Sequence, residues 1–154
     1  MKPKDILQSM DVRRALFGLF FAFNNRLQAA GDSFYQEITC KQFFLLACMH
    51  LFSEEAPTAQ DLAQVMGSSH QNVKQILNKL EQKGLVQIMT DQQDRRKLRI
   101  YLTPEAAKMT VYQKKEEQFM ENLFHGISTK QVKETFAVLA EMEQNLIHMK
   151  GEKT

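Results

Sequence analysis

The chain has 154 residues, of which 44% are hydrophobic and 25% charged, and its net charge is +2. This size and balance are those of an ordinary globular domain with a substantial core, and they exclude disorder as the default expectation. Because the net charge is close to zero, any indication of a nucleic-acid partner has to come from where the charges lie.

Charged residues interrupt every apolar run near the N-terminus, and no segment approaches the ~20 apolar residues of a membrane span. The two cysteines, Cys40 and Cys48, fall within one helical pattern, which is not the arrangement of a disulfide framework. We therefore expect a cytoplasmic protein with no membrane partner.

Large apolar residues recur at intervals of three and four from Ile6 through Met10 to Leu27, which predicts a long first helix with one apolar stripe. The triplet of glycine, aspartate and serine at 31–33 predicts the end of that helix. Thr39, followed three residues later by Gln42, is a capping box that predicts a second, buried helix through residue 52.

A helix-turn-helix is predicted in the middle of the chain. Thr58 and Asp61 repeat the capping pattern and predict a short helix ending near Gly67. Ser68 or Ser69 can then cap a further helix at 70–82, whose apolar positions form a single face. Two helices joined by a short turn that contains glycine are typical of this motif.

A β-hairpin is predicted directly after the helix-turn-helix. Gly84 ends the preceding helix, and the runs 85–89 and 98–102 are rich in residues that favour strands. The segment between the two runs is polar and charged, as expected for a hairpin tip. This hairpin would be the wing of a winged helix-turn-helix.

Two further helices are predicted after the wing. Residues 103–105 supply a cap, a proline and an acid, which predict a long helix to about residue 125, and Ser128 with Gln131 begins the last one. Apolar residues of the last helix alternate at intervals of four and three, a seam that requires a partner helix. We expect a homodimer formed by the first helix and the last two helices, through Ile6, Met10, Val132, Phe136, Leu139 and Leu146.

Positive charge is concentrated in the second helix of the motif and in the wing. Residues 70–99 contain seven basic and three acidic side chains, a balance of +4, so the rest of the chain carries −2. Phosphate neutralisation supplies most non-specific affinity for a duplex, so this local field predicts double-stranded DNA as a partner. The alternative interpretation is an ordinary solvated face.

The polar face of the 70–82 helix holds the candidate base-reading residues. Asn and Gln amides can pair with adenine in the major groove, whereas lysines Lys74 and Lys79 are better suited to phosphates. The predicted DNA-binding residues are Ser69, His70, Gln71, Asn72, Lys74, Gln75, Asn78, Lys79, Arg95 and Arg96. At the wing tip, Asp91 and Asp94 are predicted to have a structural role, with one acid holding an arginine that enters the narrow minor groove.

The run PTAQDLAQVMGSSHQNVKQILNKLEQKGLV, the wing element DQQDRR and the following LTPEA together resemble the MarR family. The resemblance implies a mainly α fold with a small β-hairpin wing (α+β), that is, a winged helix-turn-helix with long N- and C-terminal dimerisation helices. It implies one domain over 1–154, with a DNA-binding lobe at 39–102 and dimerisation helices at 5–30 and 104–150.

The resemblance also assigns roles. It implies that Arg96, held by Asp94, contacts the minor groove and that Arg95 contacts a phosphate. Ile88 and Met89 stand where many relatives carry basic residues, which predicts fewer phosphate contacts. It further implies a homodimer on a pseudo-palindromic operator, acting as a repressor that a small aromatic or amphipathic effector releases.

Other functions are less well supported by the sequence. The four histidines, at positions 50, 70, 125 and 148, lie on different predicted elements, so neither a catalytic set nor a metal site is expected, and no cofactor is predicted. Cys40, in the first turn of the second helix, could sense oxidants if the helix dipole lowered its thiol pKa. A winged-helix protein-interaction module without DNA binding is the remaining alternative.

Overall fold

The computed structural model describes residues 10–107 and 110–151. The elements in these ranges are α1 (Val12–Tyr35), α2 (Cys40–Met49), α3 (Ala59–Val65), α4 (His70–Gln82), β1 (Val86–Thr90), β2 (Leu98–Leu102), α5 (Pro104–Ala107), α6 (Thr110–Leu123) and α7 (Thr129–Gly151). The chain divides into two compact units, residues 1–116 and 117–154. The mainly α fold with a two-stranded wing is confirmed.

The first helix differs from its predicted bounds at both ends. Asp11 caps α1 by accepting hydrogen bonds from the N–H groups of the two arginines that follow Val12, so Met10 lies before the helix. Ile6 falls outside the described residues. The predicted end at Gly31 is wrong, because α1 continues to Tyr35 and Gly31 is a buried contact within it.

The contact at Gly31 explains why a glycine stands there. A Cβ atom at this position would lie 2.6 Å from the Sγ of Cys40, so only a glycine lets α2 approach α1 this closely. One residue on, the carboxylate of Asp32 accepts a hydrogen bond from the backbone N–H of Cys40 at 2.6 Å. Gly31 and Asp32 therefore hold α1 and α2 together and do not end α1.

Each helix of the lobe begins at a side-chain cap, as the sequence predicts. Thr39 with Gln42 and Thr58 with Asp61 form complete capping boxes, and the Ser69 hydroxyl accepts from the N–H of Asn72 at 3.2 Å. The helix after Thr39 ends at Met49, three residues earlier than predicted, and its side chains are buried on one side only.

The core of the first unit is built from one face of each lobe helix and the inner face of the wing. Its largest fully buried side chains are Tyr35, Leu45, Leu62, Val73, Leu77, Leu80 and Ile100. Tyr35 stacks on Phe43 with the ring centroids 4.4 Å apart. Burial of such side chains stabilises a fold by about 1.5–3 kcal/mol each, so this cluster holds α4 firmly in the lobe.

The wing is an antiparallel pair in which Val86 lies opposite Leu102 and Thr90 opposite Leu98. Its base is closed by Thr103, whose N–H donates to the carbonyl of Leu85 and whose hydroxyl donates to the carbonyl of Gly84 at 2.7 Å. The same hydroxyl accepts from the N–H of Ala106 and so begins α5.

The second unit contains the end of α6 and all of α7. A glycine with positive φ at position 126 follows α6, and Ser128 with Gln131 caps α7 as predicted. None of the α7 side chains is buried, and Phe136 is 74% exposed. Within the described residues, no helix has the length and apolarity needed to cross a membrane.

Candidate nucleic-acid interface

Helix α4 has an apolar inner face and a polar outer face. Val73, Ile76, Leu77 and Leu80 are buried in the core, and this spacing turns the intervening polar residues outward. The predicted DNA-binding residues Ser69, His70, Gln71, Lys74, Gln75, Asn78 and Lys79 are all exposed, as are Glu81 and Gln82 at the end of the helix. The structure therefore places these candidates on one accessible surface.

Two of the predicted base readers make local contacts. Ser69 is the N-cap of α4, and its hydroxyl accepts from the N–H of Asn72. Asn72 is half-buried, and its Nδ2 donates to the hydroxyl of Ser68 at 2.8 Å. Ser69 and Asn72 therefore both help to begin the helix.

Two aspartates, Asp91 and Asp94, accept hydrogen bonds within the wing tip. The Oδ1 of Asp91 accepts from the N–H groups of Gln93 and Asp94, each at 2.7 Å. The Oδ1 of Asp94 in turn accepts from the N–H of Arg96 at 3.1 Å and from its Nε at 3.4 Å. The Arg96 side chain is 93% exposed, so its carboxylate partner orients it without covering it.

Arg99 has a role that the sequence did not reveal. Its side chain is only 9% exposed, and its Nε donates to the Oδ2 of Asp91 at 2.6 Å. Its other guanidinium nitrogens donate to the carbonyl of Ala56 at 2.9 Å and to the carboxylate of Glu55. Arg99 is therefore an internal connection between the wing and the loop before α3 and adds no exposed charge to the positive field.

Lys83 is a second basic residue with an internal contact. Its Nζ donates to the carbonyl of Glu37, in the turn between α1 and α2. Within residues 70–99, the basic side chains that remain exposed at the outer face of α4 and at the wing are Lys74, Lys79, Arg95, Arg96 and Lys97.

Hydrogen bonding lowers the pKa of two acids beside this surface, Asp91 and Asp61. The N–H of Asp94, the Arg99 guanidinium and the N–H of Gln93 lower the pKa of Asp91 to about 2. The backbone hydrogen bond from Thr58 lowers the pKa of Asp61, although burial of that carboxyl opposes the shift. Both acids are therefore ionised at neutral pH, and each serves as an acceptor within the lobe.

A cleft of about 830 Å³ lies between α4 and the wing. Its walls include His70, Lys74 and Asn78 from the helix and Arg96 and Lys97 from the wing, while apolar side chains such as Leu77 form part of its floor. Asn78 of the helix face and Arg96 of the wing tip, which are 18 residues apart in the sequence, thus border one continuous surface.

The thiol of Cys40 does not have the environment of a reactive cysteine. Burial and the charge of Asp32 raise its pKa, which is opposite to the shift that redox sensing by this thiol requires. Cys48 is buried, and burial raises its pKa as well. Residues 10–107 and 110–151 contain no cluster of His, Cys, Asp and Glu that could hold a metal ion.

A helix-turn-helix followed at once by a two-stranded hairpin that flanks its second helix defines a winged helix-turn-helix domain. Residues 38–98 match the model of the MarR family. The winged-helix segment of this chain is therefore similar to the MarR family, as the wing and helix-turn-helix motifs indicated.

Solved structures of MarR-family regulators have the same fold. The S. aureus MepR–DNA complex is 23% identical, with a TM-score of 0.75 over 83% of this chain and 95% of that one. A MarR/EmrR family regulator from Acinetobacter sp. ADP1 is 15% identical, with a TM-score of 0.79 over 90% and 99%. The organohalide-sensing regulator RdhR-CbdbA1625, bound to 2,4-dichlorophenol, is 16% identical, with a TM-score of 0.77 over 90% and 83%.

Proposed function

We propose that this protein is a homodimeric transcriptional repressor that binds a pseudo-palindromic operator in double-stranded DNA and is released by a small aromatic or amphipathic effector. Helix α4 enters the major groove, where Gln71, Gln75 and Asn78 read base edges and Lys74 and Lys79 contact phosphates. Arg96 enters the adjacent minor groove, and Arg95 contacts a phosphate.

The observation that carries the DNA-binding proposal is that the α4 face and the wing tip border one surface. A duplex needs cations and hydrogen-bond donors arranged along neighbouring grooves, and this surface supplies both from Lys74, Asn78 and Arg96. MepR, which has the same fold, was crystallised as a DNA complex. Scattered surface charges would not meet in this way around the second helix of a helix-turn-helix.

Selection of bound duplexes from a random pool tests the proposal directly. We expect enrichment of an inverted repeat whose half-sites are about one helical turn, ~34 Å, apart, because two α4 helices related by a twofold axis enter successive major grooves. Recovery of no motif at low ionic strength would contradict DNA binding. Recovery of a single, unrepeated half-site would contradict the dimer.

Self-association is supported by the apolar surface of two long helices. Each of them exposes large hydrophobic side chains at more than a third of their area, namely Val12, Leu16, Phe17, Leu19, Phe21 and Phe23 on α1 and Phe136, Val138, Leu139, Leu146, Ile147 and Met149 on α7. Monomers rarely leave such surface in water, so we assign these helices to the interface with a second copy. Sedimentation equilibrium should give twice the chain mass of 17.9 kDa.

Release by an effector is the part of the proposal that rests on relatives. RdhR-CbdbA1625, a regulator of the same fold, was solved with 2,4-dichlorophenol bound. A ligand that changes the separation of the two α4 helices by a few ångströms would break their registry with the grooves and lower affinity without altering any base contact. A screen of chlorinated phenols and other aromatic acids for loss of operator binding tests this step.

A further inference from the structure

Arg99, on β2, connects the wing tip to the loop before α3 through one guanidinium group. Its Nε reaches Asp91 at the start of the wing tip, and its Nη1 reaches the backbone of Ala56 in the loop before α3. Its Nη2 donates to Glu55 in the same loop. In the sequence, Arg99 is therefore 43 residues from Ala56 and 44 from Glu55, but only eight from Asp91.

The carboxylate of Asp91 continues this connection towards the tip. Its Oδ2 accepts from Arg99, while its Oδ1 accepts from the N–H groups of Gln93 and Asp94. One carboxylate thus joins the guanidinium to the backbone of the turn. The Asp91 side chain is 14% exposed, so water competes little for these contacts.

Asp94 connects this turn to the exposed side chain of Arg96. Asp94 accepts from both the N–H and the Nε of Arg96, so the backbone that Asp91 holds carries the carboxylate that orients Arg96. A second connection runs in parallel, because the N–H of Ile100 donates to the carbonyl of Pro57 at 2.9 Å. The wing tip is therefore fixed to the loop from which the helix-turn-helix begins.

We propose that Arg99 is a positioning residue for DNA recognition, acting through Asp91 and Asp94 to hold Arg96 in place relative to α4. This inference rests on the proposed function, since it gives Arg96 its minor-groove role. An arginine that is oriented before binding loses less side-chain freedom on entering the groove, and a fixed wing keeps the minor- and major-groove contacts in register. Arg99 itself, being buried, touches no DNA.

The test is a double-mutant cycle on operator affinity. We expect Arg99→Met to weaken binding about tenfold in the wild-type background but less than about twofold in the Arg96→Ala background. Lys41→Met is the matched control, because it removes one positive charge from an exposed position on α2 that is outside the interface. Equal losses in both backgrounds, or a loss no larger than that of Lys41→Met, would overturn the proposal.

Two more variants distinguish the positioning role of Arg99 from an effect of its charge and from a loss of folding. Arg99→Lys keeps the charge but not the planar fork, so we expect it to resemble Arg99→Met, and wild-type affinity would refute the role of the fork. If Arg99→Met does not fold by circular dichroism, Glu55→Gln replaces it in the cycle, since Glu55 is in an exposed loop. Glu55→Gln should weaken operator binding less than Arg99→Met does, and this effect should also disappear in the Arg96→Ala background. An effect that persists in that background would contradict the connection from Arg99 to Arg96.

A measurement without DNA keeps this inference distinct from the proposed function. Hydrogen exchange at the amides of Gln93 and Asp94 should be several-fold faster in Arg99→Met, because their acceptor is no longer fixed. If the wild-type protein binds no duplex, the proposed function fails, yet faster exchange would still show that Arg99 orders the tip. Unchanged exchange rates in Arg99→Met would show that Arg99 does not order the wing tip, and the proposed role of Arg99 would then fail.

Discussion

The carboxylate of Asp32, near the end of α1, accepts a hydrogen bond from the backbone N–H of Cys40 at the first position of α2. The N–H groups of a first helical turn have no partner within their own helix, so this contact satisfies one of them from the neighbouring helix. It also places a negative charge beside the Cys40 thiol, which with burial raises the pKa of that group.

Asp32→Asn should increase the reactivity of Cys40. The amide oxygen can still accept the hydrogen bond, but the charge that disfavours the thiolate is removed, so the thiol pKa falls. Burial remains, so the pKa should stay above its ordinary value. The pH dependence of alkylation in a Cys48→Ala background measures this shift, and an unchanged profile would show that Asp32 does not control the thiol.

Gly31→Ala should destabilise the protein by about 1–3 kcal/mol, because the added methyl group would lie 2.6 Å from the Sγ of Cys40. Gly18→Ala is the matched control in the same helix, since a Cβ there meets nothing within 4 Å. Alanine favours helix, so this control should stabilise by up to ~1 kcal/mol. Thermal unfolding compares the two, and equal effects would contradict the close contact.

Arg96→Ala should weaken operator binding by about 1–3 kcal/mol if Arg96 makes a specific contact. The loss should be accompanied by loss of minor-groove protection in a hydroxyl-radical footprint beside each half-site. Arg95→Ala, the neighbouring substitution of the same charge, should instead reduce the salt dependence of binding with the footprint unchanged. Wild-type affinity in Arg96→Ala would refute the assignment of the wing.

Gln75→Ala should relax sequence preference at one or two operator positions, because an amide that reads a base edge contributes to discrimination between bases. Lys79→Ala should weaken binding almost uniformly across sequences and lower the salt slope by about 1. Binding to a panel of single-base operator variants distinguishes the two patterns. A uniform loss in Gln75→Ala would reassign that residue to a backbone contact.

Asp91 should make the stability of the lobe depend on pH in acid. Its pKa is about 2 in the folded protein and about 3.9 in an unfolded chain. Its contribution is therefore complete above about pH 4 and is lost as the pH falls towards 2. Asp91→Asn should be less stable than wild type at pH 7, and urea unfolding should show the difference shrinking towards pH 2. A constant difference would contradict the shifted pKa.

Local patterns predicted most of the fold, and contacts between distant residues account for what was missed. The caps at Thr39, Thr58 and Ser69 depend on residues three positions away, so the sequence alone revealed where these helices begin. Gly31 looked like a helix end because its partner, Cys40, is on another helix. The exposed polar face of α4 followed from helical periodicity.

The same distinction holds at the wing. The pairing of Asp94 with Arg96 spans two residues and was predicted as one acid holding an arginine. Arg99, in contrast, differs from its basic neighbours only in meeting Glu55 and Ala56, which are more than 40 residues away in the sequence. No pattern within the wing distinguishes a buried arginine from an exposed one.

The closure of the hairpin by Thr103 at its base has a consequence for any attempt to study the wing in isolation. Two strands of five residues do not persist alone in water, and here one end is sealed by Thr103 and the other is anchored through the buried arginine to a distant loop. A synthetic peptide covering 84–103 would be disordered, with a net charge of +2 from four basic and two acidic side chains. Any affinity it showed for nucleic acid would report charge alone.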